Sequence, residues 1–365
     1  MAGLYIHIPF CHGRCIYCDF YATPRRERIA EVCRGIIKEI RARLSEISEP
    51  YRTIYIGGGT PSFIPLELLC SVIETIPRKE AEEFTVEANP EDVTPEWSAR
   101  MAALGVNRVS LGVQSLDDAV LRSIGRRHTA AGARQAVDIL CAAGITNISC
   151  DLIYGLPGQS EKNWMSDLRE LMHWPITHLS AYCLTVYEGT ALSRMIKAGR
   201  MTLPDDDALA RNYDILLEET SRSGFIQYEI ANFSRPGYQS RHNTSYWDPE
   251  GKWLGVGPAA YSYDGNVRPY NPADIETWLR KLPVPSSIEP ETELDRLNDQ
   301  IVTALRTIRG LDLSKLPPDT ADAILRDASQ ALSRGLMTYT DHRLAIKPEH
   351  FLISDSLIRP LLRDY

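Results

Sequence analysis

Cys11-His12-Gly13-Arg14-Cys15-Ile16-Tyr17-Cys18 sets three thiols on one short loop, directly after an apolar run at residues 4–9. Spacings of four and three residues do not close a four-ligand metal site by themselves. They suit three irons of a cubane cluster, with the fourth iron left open to another ligand. Zinc also takes thiolate sulfur, and His7 and His12 stand near enough in sequence to keep that alternative open.

Working outward, residues 4 to about 187 alternate short strand-like runs with helical patterns. The strands are expected at 4–9, 53–56, 83–88, 108–113, 148–154 and 178–186. The clearest helix carries Ile29, Val32, Cys33, Ile36, Ile37, Ile40, Leu44 and Ile47 on one face; others are expected around 66–76, 95–104, 130–143 and 161–173. Six β-then-α units in series imply parallel strands with right-handed crossovers, in an open sheet or a barrel. The strand ends favour a barrel. Cys11, the glycine run at 57–60, the polar 87–90, Gln114, Asp151 and Thr185 all follow strands, and parallel strand ends converge on one mouth. Six units rather than eight imply an α/β fold with an incompletely closed, TIM-like partial (βα)6 barrel over residues 1–190.

Beyond it the alternation stops. A helix is expected over 204–223, a strand over 225–233, then an aromatic, glycine-rich stretch over 237–270 with little helical character, making residues 191–281 a mixed α/β segment. The Pro-rich residues 282–290 read as a linker. After it, helices at 294–308 and 321–332 and a hairpin turning at Asp341-His342 suggest a winged-helix-like module over 290–365.

Composition narrows the class. A net charge of −8 and pI near 5.6 indicate no broad basic surface for nucleic acid. No apolar stretch approaches the roughly 20 residues of a membrane span, and no signal peptide is evident at the N-terminus. Eight cysteines in 365 residues are too sparse for a disulfide scaffold; outside the triplet they read as small buried hydrophobes. A reducing cytoplasm fits best.

The cysteine triplet after the first strand, with the aromatic Tyr17 before its last member, resembles the cluster motif of radical S-adenosylmethionine enzymes. The resemblance implies a [4Fe–4S] cluster held by Cys11, Cys15 and Cys18, whose open iron is chelated by S-adenosylmethionine and whose electron yields a 5′-deoxyadenosyl radical. The segments Tyr5-Ile6-His7-Ile8-Pro9-Phe10-Cys11, Gly57-Gly58-Gly59-Thr60-Pro61, Gly112-Val113-Gln114-Ser115 and Asp151-Leu152-Ile153-Tyr154-Gly155-Leu156-Pro157 are similar to the HemN/HemW branch. By that likeness Tyr5, Gly59, Thr60, Glu87, Gln114, Arg126 and Asp151 would contact S-adenosylmethionine.

The branch holds oxygen-independent coproporphyrinogen III oxidases and haem chaperones. Asp19 and Phe20 follow Cys18 where the oxidases carry a further cysteine, and the chain begins ten residues before the cluster. Arg241-His242-Asn243-Thr244-Ser245-Tyr246-Trp247 matches the His-Asn-x-x-Tyr-Trp signature linked in the chaperones to haem. The resemblance therefore implies a haem-binding protein, with His242 as haem contact, acceptor haemoproteins (respiratory ones by family likeness) and an electron donor for the cluster as partners. The oxidase is the alternative, and a structural zinc protein a remoter one. One segment departs: before Ser262 the branch has Gly-Ala-His, and this chain has Ala259-Ala260-Tyr261. A phenolate can ligate haem iron, so Tyr261 would either substitute or leave the role empty.

Overall fold

Period-two alternation sorts the strand residues onto two faces. The computed structural model describes residues 2–283 and 287–363. Strands β1 (Ala2–Ile8), β2 (Tyr51–Gly58), β3 (Glu83–Ala88), β4 (Arg108–Gln114), β5 (Asn147–Tyr154) and β6 (His178–Cys183) lie side by side, all parallel. One set of alternating residues (Leu4, Ile6, Ile8, Ile54, Ile56, Phe84, Val86, Val109, Leu111, Ile148, Leu152, Leu179) is buried in the main apolar core. Each such side chain contributes about 1.5–3 kcal/mol when fully withdrawn from water. The other set is polar: Tyr5, Thr53, Tyr55, Glu83, Thr85, Glu87, Arg108, Ser110, Ser149, Asp151, His178 and Ser180. The apolar face holds the fold together and the polar face is free to do chemistry.

Helices α1 (Ile29–Arg43), α2 (Leu66–Glu74), α3 (Pro95–Ala103), α4 (Asp118–Ser123), α5 (Ala130–Ala142) and α6 (Glu161–Met172) cross between consecutive strands. Their starts follow from local chemistry: Thr94, Asp117, Thr129 and Ser160 each accept a backbone N–H of the first turn. Of the expected α1 stripe, Ile29, Val32, Cys33, Ile36 and Ile40 are buried, while Ile37 is only half-buried and Leu44 and Ile47 lie beyond the helix end at Arg43.

The partial barrel expected from six units is present as an open sheet, and it is longer than expected. Beyond β6 run two short antiparallel strands, β7 (Ile226–Gln227) and β8 (Asn232–Ser234), where one continuous strand was expected over 225–233. Residues 228–231 between them turn toward the C-terminal part instead, Ile230 N donating to Arg306 O and Ile308 N to Tyr228 O. At the opposite edge β9 (Lys252–Val256) pairs parallel with β1. It comes from the aromatic, glycine-rich stretch, which also holds a helix. After α7 (Ala191–Lys197) and α8 (Asp206–Arg222), that helix is α9 (Arg241–Tyr246).

β10 (Val267–Tyr270) and β11 (Ser287–Pro290) form an antiparallel pair flanking α10 (Ile275–Lys281), so the end of the expected linker is a strand; its residues 284–286 lie outside the described residues. The remainder comprises α11 (Glu293–Leu305), β12 (Leu311–Asp312), α12 (Pro318–Ser333), β13 (Met337–Thr340), β14 (Arg343–Ile346) and α13 (Ser354–Ile358), with sheet order β12-β14-β13. The β13–β14 hairpin turns at Asp341-His342, both at positive φ (51° and 62°), as two-residue hairpins of this kind require. Among the described residues no helix is long and apolar enough to cross a membrane.

A buried carboxylate ties this second half to the first. Glu39 of α1 accepts from Arg43 (2.7 Å), Asn271 Nδ2 (2.7 Å), Gly257 N (2.9 Å) and Trp278 Nε1 (3.0 Å).

Candidate functional site

The mouth of the barrel is a cavity of about 550 Å³. The cysteine loop forms one wall of it. Cys11 N donates to Thr23 O (3.2 Å), Ile16 N to Ile124 O (3.4 Å), Cys18 N to Cys15 O (3.1 Å), and Arg14 to the carbonyls of Phe20 and Ala22. So fastened, the loop presents Cys11, Cys15 and Cys18 to one space, all three free thiols and half-buried. Burial, and then the neighbouring cysteines, push the Cys11 thiol up; burial does the same to Cys18. Among the described residues no three His, Cys, Asp or Glu side chains converge on a single metal-ion position. A cubane asks something else of them, since each thiolate takes a different iron. Three thiols along one wall of an open cavity fit that donor set.

The end of β2 approaches the loop through backbone alone. Gly59 N donates to Ile8 O (2.8 Å) and Thr60 N to Phe10 O (2.7 Å). A Cβ on Gly59 would lie 2.4 Å from Phe10 O, so only glycine fits. Glu87, at the end of β3, accepts from Tyr55 Oη (2.7 Å) and Gly58 N (3.1 Å). Burial pushes Glu87 up to about 7 against those two bonds, with the Asp151 charge adding to the rise. Asp151 on β5 is likewise raised by burial, while Ser110 Oγ donates to both its oxygens at 3.2 Å. Gln114 closes β4 at φ 67°, in the left-handed region that non-glycine residues seldom occupy. Arg126 donates to Asn89 Oδ1 (2.7 Å), Gly112 O (2.6 Å) and Cys15 Sγ (3.7 Å).

Of the residues singled out from sequence, Cys11, Cys15, Cys18, Gly59, Thr60, Glu87, Gln114, Arg126 and Asp151 all line this cavity; Tyr5 and His242 do not. Tyr5 donates or accepts at His7 Nδ1 (3.0 Å) and packs at a tilt against Tyr55, on which His242 stacks; Tyr55 does line the cavity. His242 is fully buried. Its Nδ1 meets Thr53 Oγ1 (2.9 Å) and its Nε2 meets Tyr246 Oη (2.8 Å), leaving no ring nitrogen for an iron in this conformation. Burial pushes it down to about 3, the Arg108 charge assisting, so the ring is neutral. Its helix α9 is held from outside by Glu83, which accepts from Arg241 N (2.8 Å) and His242 N (2.9 Å). Tyr261 stacks on Tyr270 (centroids 5.1 Å apart), away from the cavity, and Ala259 takes φ 65° where the branch has glycine.

Sequence reasoning missed Tyr55, Asn89, Ser180, Tyr182 and Asn243, which also line the cavity. Alternation along β2 and β6 would have exposed Tyr55, Ser180 and Tyr182 as inward positions, and Asn243 is the second member of the His-Asn-x-x-Tyr-Trp signature.

Comparison with known proteins gives a consistent picture. The model of the "Radical SAM superfamily" matches residues 5–171. The "Heme chaperone HemW" of Mycobacterium tuberculosis is 35% identical over 376 residues, covering 99% of this chain and 94% of that protein. The protein of the same name from Bacillus subtilis is 32% identical over 323 residues, with 85% of each chain covered. Among solved structures, the Escherichia coli coproporphyrinogen III oxidase HemN superposes with a TM-score of 0.85 at 19% identity, over 99% of this chain and 90% of that one, which speaks for the fold alone.

Proposed function

From a chain that belongs to the radical S-adenosylmethionine superfamily and, within it, to the HemW family, we infer a haem chaperone: it binds haem, a [4Fe–4S] cluster and S-adenosylmethionine, and delivers haem to acceptor haemoproteins. The observation that carries the cofactor part is the single cavity in which the three thiols face Gly59, Glu87, Gln114, Arg126 and Asp151. Cys11, Cys15 and Cys18 would hold the cluster, which would supply one-electron reducing chemistry there, an external donor providing the electron. Gly59 and Thr60 let the small molecule lie against backbone. Glu87 and Asp151 accept from its ammonium and ribose hydroxyls, and Arg126 and Gln114 serve its carboxylate and remaining polar edge. Tyr5 acts from behind, by fixing Tyr55 against Glu87.

Similarity of 32–35% to HemW proteins across most of the chain favours the chaperone over the oxidase, as does Asp19-Phe20 after Cys18, with no further cysteine there. His242 is the haem contact in this reading, and it reaches iron only in a state where α9 has left Thr53 and Glu83. The free thiols of all eight cysteines suit a reducing cytoplasm.

Anaerobic reconstitution followed by haem titration tests the proposal. The expected result is iron and sulfide on the protein, one haem bound per chain and haem passed to an apo-haemoprotein. Protoporphyrinogen formed from coproporphyrinogen III with S-adenosylmethionine would replace the chaperone by the oxidase, and absence of iron would end both. His242→Ala is expected to weaken haem binding and alter its spectrum; an unchanged titration removes His242 as the contact.

A further inference from the structure

Arg126 makes a contact that binding a small molecule does not explain: its Nη1 points at a cluster cysteine. We propose that Arg126 is a tuning residue that raises the reduction potential of the cluster through Cys15. The inference rests on the cluster assignment made above and concerns what that cluster does before any small molecule arrives.

The guanidinium is fixed from two sides. Nη2 donates to Asn89 Oδ1 at 2.7 Å and to Gly112 O at 2.6 Å, which joins it to the ends of β3 and β4. Gly112 is shaped to this: a Cβ there would stand 3.2 Å from Nη2 and 3.3 Å from Asn89 Oδ1. With Nη2 clamped, Nη1 is aimed at Cys15 Sγ, 3.7 Å away, within the range of an N–H···S hydrogen bond. Nε is buried without a partner, so the group is committed to this orientation at some cost in desolvation.

Among the described residues no carboxylate stands within ion-pair distance of Arg126; the nearby Glu91, which feels its charge, pairs with Arg127 (3.7 Å). The other cation of the loop, Arg14, spends its Nη2 on the carbonyls of Phe20 and Ala22. Reduction adds one electron to the cluster, and a fixed, mostly buried cation beside a ligating sulfur stabilises the more negative state. A hydrogen bond to that sulfur acts in the same direction. Arg126 therefore favours the reduced cluster.

The test is an EPR-monitored redox titration of the anaerobically reconstituted protein without S-adenosylmethionine. Arg126→Gln, which removes the charge, is expected to shift the midpoint to more negative potential. Arg126→Lys, which keeps the charge without the fork, is expected to shift it less. Arg122→Gln, an exposed residue of α4 that does not line the cavity, is expected to leave it in place. A wild-type midpoint in Arg126→Gln with full iron overturns the inference and leaves the cluster assignment standing. If Arg126→Gln fails to hold iron, Arg126→Lys carries the decision: a midpoint equal to wild type with weakened S-adenosylmethionine binding restricts Arg126 to holding that molecule. Absence of iron in the wild type itself would instead refute the cluster.

Discussion

Gly59→Ala is the change whose cost the structure fixes most tightly. An added Cβ would meet Phe10 O at 2.4 Å, Phe10 N at 2.8 Å and Ile8 O at 2.9 Å. All three are backbone atoms of the segment leading into Cys11, so no side-chain rotation relieves the clash. Relief requires the end of β2 to lift off β1, which strains the bonds from Gly59 N to Ile8 O and Thr60 N to Phe10 O. Overpacking costs about 1–3 kcal/mol and the two hydrogen bonds about 1 kcal/mol each, a loss of about 3–5 kcal/mol. The displacement falls on the residue before Cys11, so iron loading should drop with stability. Urea unfolding reads the first effect as a lower midpoint, and iron per chain after reconstitution reads the second. Gly144→Ala is the contrast: φ is 86° but nothing lies within 4 Å of the new methyl, so it should cost about 1 kcal/mol and leave iron intact. A Gly59→Ala protein with wild-type midpoint and full iron would refute the steric reasoning.

Three further outcomes follow from the same geometry. Because burial raises Glu87 from 4.5 to about 7, the folded chain keeps a proton the unfolded one releases, and stability from this group falls as pH rises from about 4.5 to 7. Glu87→Gln should therefore gain on the order of 3 kcal/mol relative to wild type at pH 8 while losing about tenfold or more in S-adenosylmethionine affinity; calorimetry at pH 5 and 8 checks both, and equal stability shifts at the two pH values would count against the assignment. Ala259→Gly relieves a left-handed alanine and should stabilise by up to about 1 kcal/mol, read as a raised thermal midpoint with no change in iron content. Glu39→Ala leaves Arg43 with Glu46 as its remaining acid partner but strands the buried donors Asn271 Nδ2, Trp278 Nε1 and Gly257 N, and should cost about 3–5 kcal/mol; an unfolding midpoint within error of wild type would show the strap to be dispensable.

The first half of the fold was legible because its signals are local. Each strand of the parallel set carries its own alternation, and each crossover helix its own stripe and cap, so the cysteine loop, the glycine run and the polar strand ends could be placed before any contact was known. The second half was not, for a physical reason. β9 is held by pairing with β1, roughly two hundred and fifty residues away in sequence, and α9 is capped by Glu83 of β3. β9 is not dictated by its own residues, and α9 only in part, through its local cap Ser240. The same distance effect explains His242: an aromatic-rich motif gives no hint that Thr53 and Tyr246 will take both ring nitrogens. Asn89 was overlooked although it lies two residues past Glu87, because its importance lies in Arg126, which it touches across the barrel.

The pairing of β9 with β1 also bears on how the chain is made. β1 acquires its outer neighbour only once residues 252–256 have been synthesised. Until then Ala2–Ile6 presents one open edge, and Glu39 waits for Gly257, Asn271 and Trp278. An open edge beside an apolar strand invites pairing with other chains. A nascent chain stalled before residue 252 is thus a species that the cell has reason to shield, with its three thiols already outside the tunnel and their wall of the cavity unfinished.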